Sequence, residues 1–146
     1  FEYRLFLMII EFMKSSNYHY NFAKDDRGSF EEIYKSESNG QISINVGKRN
    51  ILKGGHYHTR KHEVFQVVKG VCLIRLRNIK DPENKIVEHL VKGEESKQIL
   101  IKPYWTHDIT NVGASDSVTL MWISETYDPN DPDTFYEPVE PKKEIY

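Results

Sequence analysis

Three of the six histidines fall within seven residues, His56-Tyr57-His58-Thr59-Arg60-Lys61-His62, and a fourth, His107, stands well downstream. His56 and His58 are two apart, so on an extended strand both imidazoles leave the same face. Glu63 opens the apolar, β-branched run EVFQVV, and His107 opens another, HDITNV. Three imidazoles and one carboxylate are a ligand set for Zn²⁺, Fe²⁺, Mn²⁺, Co²⁺ or Ni²⁺, with positions left for water or a substrate. The plainer reading of an isolated H-x-H is a pair of surface histidines or hydrogen-bonded core histidines. The metal reading requires a fold that carries His107 across to the strand of His56 and His58, as a barrel does.

The elements around these residues are short β-like runs separated by turn chemistry. QISINV (41–46) alternates polar and apolar residues, as a half-buried strand does. EVFQVV (63–68) ends at Lys69-Gly70 and VCLIRLRN (71–78) begins at once, which reads as a hairpin turning on Gly70. Asp81-Pro82-Glu83-Asn84 is a turn, followed by KIVEHLV (85–91) and KQILIK (97–102). HDITNV (107–112) and SVTLMWIS (117–124) complete at least seven strands, with no convincing long amphipathic helix. Regularly spaced short strands predict an all-β sandwich or barrel. Four prolines from Pro129 to Pro141 predict an extended strap over 128–146 rather than a core element.

A chain of 146 residues is expected to be one domain with a real core. The division expected is an N-terminal arm over 1–22, a barrel over 23–127 and the strap. A net charge of −2, with no basic stripe and no zinc-finger cysteine spacing, argues against nucleic acid. Cys72 is a lone cysteine between apolar neighbours, read as a buried, inert thiol in a fold that needs no oxidising compartment. A cytoplasmic home follows as the expectation. The N-terminal run FEYRLFLMIIEFMK is interrupted by Glu2, Arg4 and Glu11, is too short to span a bilayer, and does not follow a signal-peptide plan. It is expected to be an arm covering a sheet edge or a dimer partner. Because Phe1 opens the chain, part of the arm is expected to be non-native, with Met8 and Met13 as alternative starts.

The block GGHYHTRKHEVFQVVKG has H-x-H, four residues, Glu63, then six residues and Gly70. The block PYWTHDITN follows with Pro103, His107 and Asn111. In spacing and order these resemble the two cupin motifs, which implies a double-stranded β-helix, or jelly-roll barrel. It also implies a metal held by His56, His58, Glu63 and His107. DDRGSFEEIYKSESNGQISIN, KGGHYHTRKHEVFQVVKG, THDITNVG, SVTLMWISE and YDPNDPDTFYEP carry a closer resemblance. They are similar to the C-terminal cupin domain of bifunctional nucleotide-sugar reductase/epimerases of capsular-polysaccharide synthesis. That resemblance implies zinc, a UDP-linked 4-keto-6-deoxy-hexosamine inverted at the carbon beside the ketone, and a Rossmann-type partner domain that reduces the ketone with NADPH.

The chain departs from that pattern in three places. Lys53-Gly54 stands where the family carries Arg-Gly, which keeps the charge but loses the bidentate fork. Lys102-Pro103-Tyr104 replaces Pro-Pro-Gly ahead of Trp105-Thr106-His107, changing the turn there. No G-x-G-x-x-G is present, so the chain is expected to supply the epimerase half, with any reductase separate.

Site roles follow from these readings. Lys61 is read either as a base beside a cation or as a solvated loop amine. Tyr104 is a second catalytic candidate, and Lys53 and Trp105 are substrate-binding candidates, Trp105 by stacking on a base or sugar ring. Tyr57 is expected to pack on the opposite face from the ligands. His19, His62 and His89 are expected at the surface, and Arg75 and Arg77 on a solvated strand face. DPNDPD lacks the Gly and closing Glu of a calcium loop. Three functions compete: a nucleotide-sugar epimerase or isomerase, a non-catalytic sugar- or metal-binding cupin docked on a reductase, and an iron dioxygenase. A homodimer paired through sheet edges is expected throughout.

Overall fold

The structure, a computed structural model, describes residues 21–141. The expectations for the arm, His19 and the last five residues of the strap lie outside that range. Eleven strands form among the described residues. They are β1 (Phe22–Asp25), β2 (Gly28–Ser36), β3 (Gly40–Gly47), β4 (Leu52–Tyr57), β5 (Glu63–Lys69), β6 (Val71–Asn78), β7 (Ile86–Lys92), β8 (Gln98–Ile101), β9 (Trp105–Asn111), β10 (Ser117–Ile123) and β11 (Phe135–Tyr136). The seven strands read from the sequence are all present. To them are added β1, β2, β4 and the short β11.

Two antiparallel sheets face each other, ordered β1-β2-β3-β10-β5-β8 and β11-β4-β9-β6-β7. This is the jelly-roll arrangement that H-x-H and His107 require. The expected β5–β6 hairpin is not formed. β5 pairs with β10 and β8, and β6 pairs with β7 and β9. Gly70, at φ +85°, instead carries the chain from one sheet to the other. Only the β-hairpin half of that reading fails; the tight turn is there.

The interior has a dry part and a polar part. Phe65 and Val67 of β5, Cys72, Ile74 and Leu76 of β6, Val91, Ile99, Ile101 and Ile109 interlock as the core, with Trp105 and Met121 packed against it. Each fully buried aliphatic side chain there contributes about 1.5–3 kcal/mol. Cys72 is a core residue, and burial pushes its thiol up, which keeps it inert.

β3 inverts the usual rule. Its alternation is present, but Gln41, Ser43 and Asn45 point inward, each 3% exposed, while Ile42, Ile44 and Val46 are only half-buried on the outer side. With Glu32 of β2 they make one wall of the interior polar. That wall is stable because its groups are mutually satisfied. Gln41 Nε2 donates to Glu32 Oε1 and Ser43 Oγ, and Glu32 also receives Lys35 Nζ at 2.8 Å.

The tail adds a strand to the edge of the second sheet. β11 pairs with β4 in the register Phe135↔Tyr57 and Tyr136↔His56, and Phe135 stacks on Tyr57. Beyond it, Val139 is 1% exposed. The expected solvated face for Arg75 and Arg77 is therefore corrected: Arg77 is 3% exposed because the tail covers it. Its guanidinium donates to the carbonyls of Val139 and Pro138 and to Glu137 and Asn84. Arg75 makes a two-pronged pair with the buried Asp108. Among the described residues no helix is long and apolar enough to cross a membrane.

Candidate metal centre

β4 brings His56 inward through a bulge. Its pairing with β9 shifts between Gly54 and His56, and Gly54 and Gly55 sit at φ +100° and +78°, where side chains are strained. The bulge sets His56 directly opposite His107, their ring centroids 4.6 Å apart. His58 follows just past the end of β4, and Glu63 opens β5 from the facing sheet. The four offered ligand atoms all lie within 4.8 Å of one another. Sequence spacing therefore brings together His56, His58, Glu63 and His107, and the set could hold a divalent metal ion.

The electrostatics are those of a site built around a cation. Nε2 of His58 and Nε2 of His107 stand 3.4 and 3.0 Å from Glu63 Oε2, and all three atoms are buried without a satisfactory hydrogen bond among the described residues. The other ring nitrogens are occupied. His58 Nδ1 faces the carbonyl oxygen of Asp133 at 2.5 Å and His107 Nδ1 faces that of Trp105 at 3.2 Å. A carbonyl oxygen only accepts, so both Nδ1 atoms carry protons, and in the neutral imidazoles both Nε2 lone pairs point at a carboxylate. A cation between them satisfies all three atoms, which is the donor chemistry of a metal centre.

Burial holds His56 down at about 3, with His107 adding to the effect, so it stays neutral and able to ligate. Burial also pushes Glu63 up, but His107 and His58 outweigh it and hold the carboxyl below its ordinary range. For His107, burial lowers the imidazole and the Glu63 charge outweighs that, leaving it raised.

The cluster opens on a cavity of about 330 Å³, within the range of small-molecule sites. Phe30, Phe65, Met121 and Ile123 give it apolar surface, and Glu32, Gln41, Ser43 and Asn45 give it polar groups. Lys53 and Lys61 reach it, but Tyr104 and Trp105 do not line it. Tyr104 sits at φ +66° in the turn after Pro103, which sends its ring out beneath the Lys80 ammonium, 3.2 Å away. Trp105 packs against the core. Lys61 is 2% exposed, which removes the solvated-amine reading, and its Nζ donates to the Pro132 carbonyl at 2.7 Å. Lys53 Nζ donates to Asn45 Oδ1 and the Val46 carbonyl, and burial lowers its ammonium. His62 is exposed and His89 half-buried, both away from the cluster.

Sequence reasoning does not find Arg27, Tyr127 and Thr134, which also line the cavity. Nor does it find Asp133. The signal for the polar wall lies in QISINV, whose alternate residues are all amides or hydroxyls. A run of that kind suits a wet interior as well as a solvated face.

Residues 23–135 match a family model described as the polysaccharide biosynthesis C-terminal domain. UDP-2-acetamido-2,6-beta-L-arabino-hexul-4-ose reductase of Pseudomonas aeruginosa is 35% identical over 133 residues, 90% of this chain and 35% of the relative. The chain thus spans about a third of that relative's length. Crystal structures of CapF are 41% identical with TM-score 0.77 over 85% of this chain. They include a complex with 3-isopropenyl-tropolone, covered over 36% of its length, and the capsular polysaccharide assembling protein of Staphylococcus aureus, covered over 33%. RmlC of Legionella pneumophila, a dTDP-6-deoxy-D-glucose-3,5-epimerase, is 17% identical with TM-score 0.59 over 80% of this chain and 69% of its own, and shares the fold alone. The fold is that of the cupins.

Proposed function

The chain belongs to the polysaccharide biosynthesis C-terminal domain family, and on that premise we propose that it is a metal-dependent epimerase or isomerase of a UDP-linked 4-keto-6-deoxy sugar. The observation that carries this reading is the convergence of His58 Nε2, His107 Nε2 and Glu63 Oε2, all buried and unsatisfied, on the wall of a sugar-sized cavity.

Inversion beside a ketone requires removal of the neighbouring C–H proton, stabilisation of the enolate oxygen, and return of a proton to the other face. A divalent metal held by His56, His58, Glu63 and His107, zinc first, would supply Lewis-acid polarisation of the ketone oxygen. The residues around it do the rest. Lys61, buried on the same cavity, takes the proton from one face at Nζ, and a separate donor returns a proton to the other face. The Pro132 carbonyl fixes the direction of that amine. The apolar wall of Phe30, Phe65, Met121 and Ile123 accommodates a 6-deoxy methyl group and excludes water. Ser43 and Asn45 face the sugar's polar substituents, and Arg27 with Lys53 brings two cations to the same cavity for a diphosphate.

The reading includes cytoplasmic work as a homodimer, with a reductase consuming the ketone product. Support for the dimer comes from the half-buried apolar residues on the outer side of β3. Support for the reductase comes from the name of the Pseudomonas relative, most of whose length this chain does not span.

The test is deuterium exchange from D₂O into a UDP-4-keto-6-deoxy-hexosamine, using metal-loaded protein, chelated protein and His58→Ala. Exchange that requires metal and is lost in the variant is the expected result. Stoichiometric metal without exchange in any sample overturns the substrate assignment.

A further inference from the structure

The tail residue Asp133 occupies a position that neither the ligand set nor the cavity explains. It is a buried carboxylate, 4% exposed, on a segment otherwise turned to solvent, and its backbone is left-handed at φ +44°. Asp tolerates that conformation better than most residues, yet holding it has a cost that surrounding contacts must offset. Those contacts all go to one place. Oδ1 accepts from the Thr59 amide at 3.0 Å and from the Thr59 hydroxyl, and Oδ2 accepts from the amides of Arg60 and Lys61 at 3.0 and 3.3 Å. Three of the four residues of the loop between His58 and the β5 strand are thus gathered by a single side chain. Burial raises this carboxyl, but the same amides and hydroxyl outweigh it and bring it down to about 2.

The backbone of the same residue does a second thing. Its carbonyl oxygen meets His58 Nδ1 at 2.5 Å, and the carbonyl of its neighbour Pro132 receives Lys61 Nζ at 2.7 Å. The loop carries the ligand and the amine, and the tail holds both ends of it.

We infer that Asp133 is the positioning residue of the centre: its carboxylate clamps the 59–61 loop so that its own carbonyl fixes the proton of His58 on Nδ1 and aims Nε2 at the metal position. The inference rests on the metal reading above. Docking of the tail and holding of the metal are then one coupled equilibrium, and each favours the other by the same factor. A purely structural clamp would act on folding alone and leave the affinity of the folded protein for metal untouched.

Asp133→Asn is the discriminating variant. It keeps the size and the tolerance of positive φ but places an N–H₂ donor against the amides of Arg60 and Lys61. Zinc affinity of the full chain is measured by competition with a chromophoric chelator, and the thermal midpoint of the chelated protein is recorded alongside. The expected result is an affinity about 10–100-fold weaker than wild type, as for removal of other groups that orient a ligand, with an altered visible spectrum of the Co²⁺-loaded form. Thr59→Val, which deletes one hydroxyl donor and leaves the carboxylate intact, should weaken binding in the same direction by less and guards against a failure of Asp133→Asn to fold. In wild type, zinc should slow hydrogen exchange at the amides of Thr59 and Arg60. Equal zinc affinity and equal Co²⁺ spectra in wild type and both variants overturn the inference while leaving the metal centre standing. A wild-type chain that binds no zinc or cobalt overturns the metal reading, and this inference with it.

Discussion

A Cβ placed on Gly54 would stand 2.7 Å from the carbonyl oxygen of His107, so the residue two before one ligand is in backbone contact with another. The contact explains why β4 can bulge at this point and still pair with β9. It also ties the geometry of the two histidines to a position without a side chain. Gly54→Ala should destabilise the fold by about 1–3 kcal/mol through the positive φ and the clash, and should weaken metal binding because His56 loses its register opposite His107. Denaturation of the chelated protein and zinc titration measure the two effects separately.

Lys61 and Tyr104 make opposite predictions. Lys61 is buried on the cavity wall, whereas the Tyr104 ring lies outside it against Lys80. Lys61→Met should lower proton exchange by about 10²–10⁴-fold, the usual contribution of a positioned acid or base, measured with the variant kept zinc-loaded at saturating metal. Tyr104→Phe should change exchange by far less. The reverse ranking would move the base to the turn after Pro103.

The pH profile of stability should differ between chelated and loaded protein. His56, held down at about 3 against an ordinary 6.5, leaves the unfolded chain binding the extra proton between those values, so stability rises with pH up to about 6.5. Glu63, lowered from its ordinary 4.5, adds to the rise at the acid end. His107 acts oppositely. Raised above 6.5 by Glu63 against the effect of burial, it contributes stability that is full below 6.5 and is lost as pH climbs through its folded value. Chelated protein should therefore be most stable near pH 6.5, and the loaded protein, whose ligands shed their protons, should show no decline above it. Thermal melts from pH 4 to 9 with and without zinc would reveal a common profile if the cluster holds no metal.

Arg77 anchors the tail at its far end. Arg77→Met leaves the Val139 and Pro138 carbonyls and Asn84 without their donor, which should cost about 1–3 kcal/mol and open residues beyond β11 to proteases. Urea unfolding and limited proteolysis check both. A fully wild-type digestion pattern would show that apolar burial of Val139 suffices.

The ligand set is legible because ligand identity and spacing are local properties: H-x-H puts two imidazoles on one face, and the β-rich flanks of Glu63 and His107 announce strands. The barrel is legible for the same reason. Which face of β3 looks inward is not, since alternation is symmetric between faces and only the partner sheet decides. Two of the missed strands share a cause. LKGGHY and FAKD lack β-branched residues, and their strand state comes from pairing rather than propensity. The β5–β6 hairpin is not distinguishable from sequence, because a glycine turn between two strands looks the same whether it joins neighbours in one sheet or bridges two. Asp133 was hidden by its setting, a proline-rich stretch whose composition says only that the chain is extended.

The contact between His58 and Asp133 joins residues 75 apart in the chain. Closing so long a loop is entropically unfavourable until the sheets have already formed around it, so this contact is expected to form late in folding. Late contacts govern how fast the native state is lost rather than how fast it is reached. The clasp between tail and loop is therefore a determinant of the protein's lifetime, and on the metal reading its opening also sets how long an ion stays held.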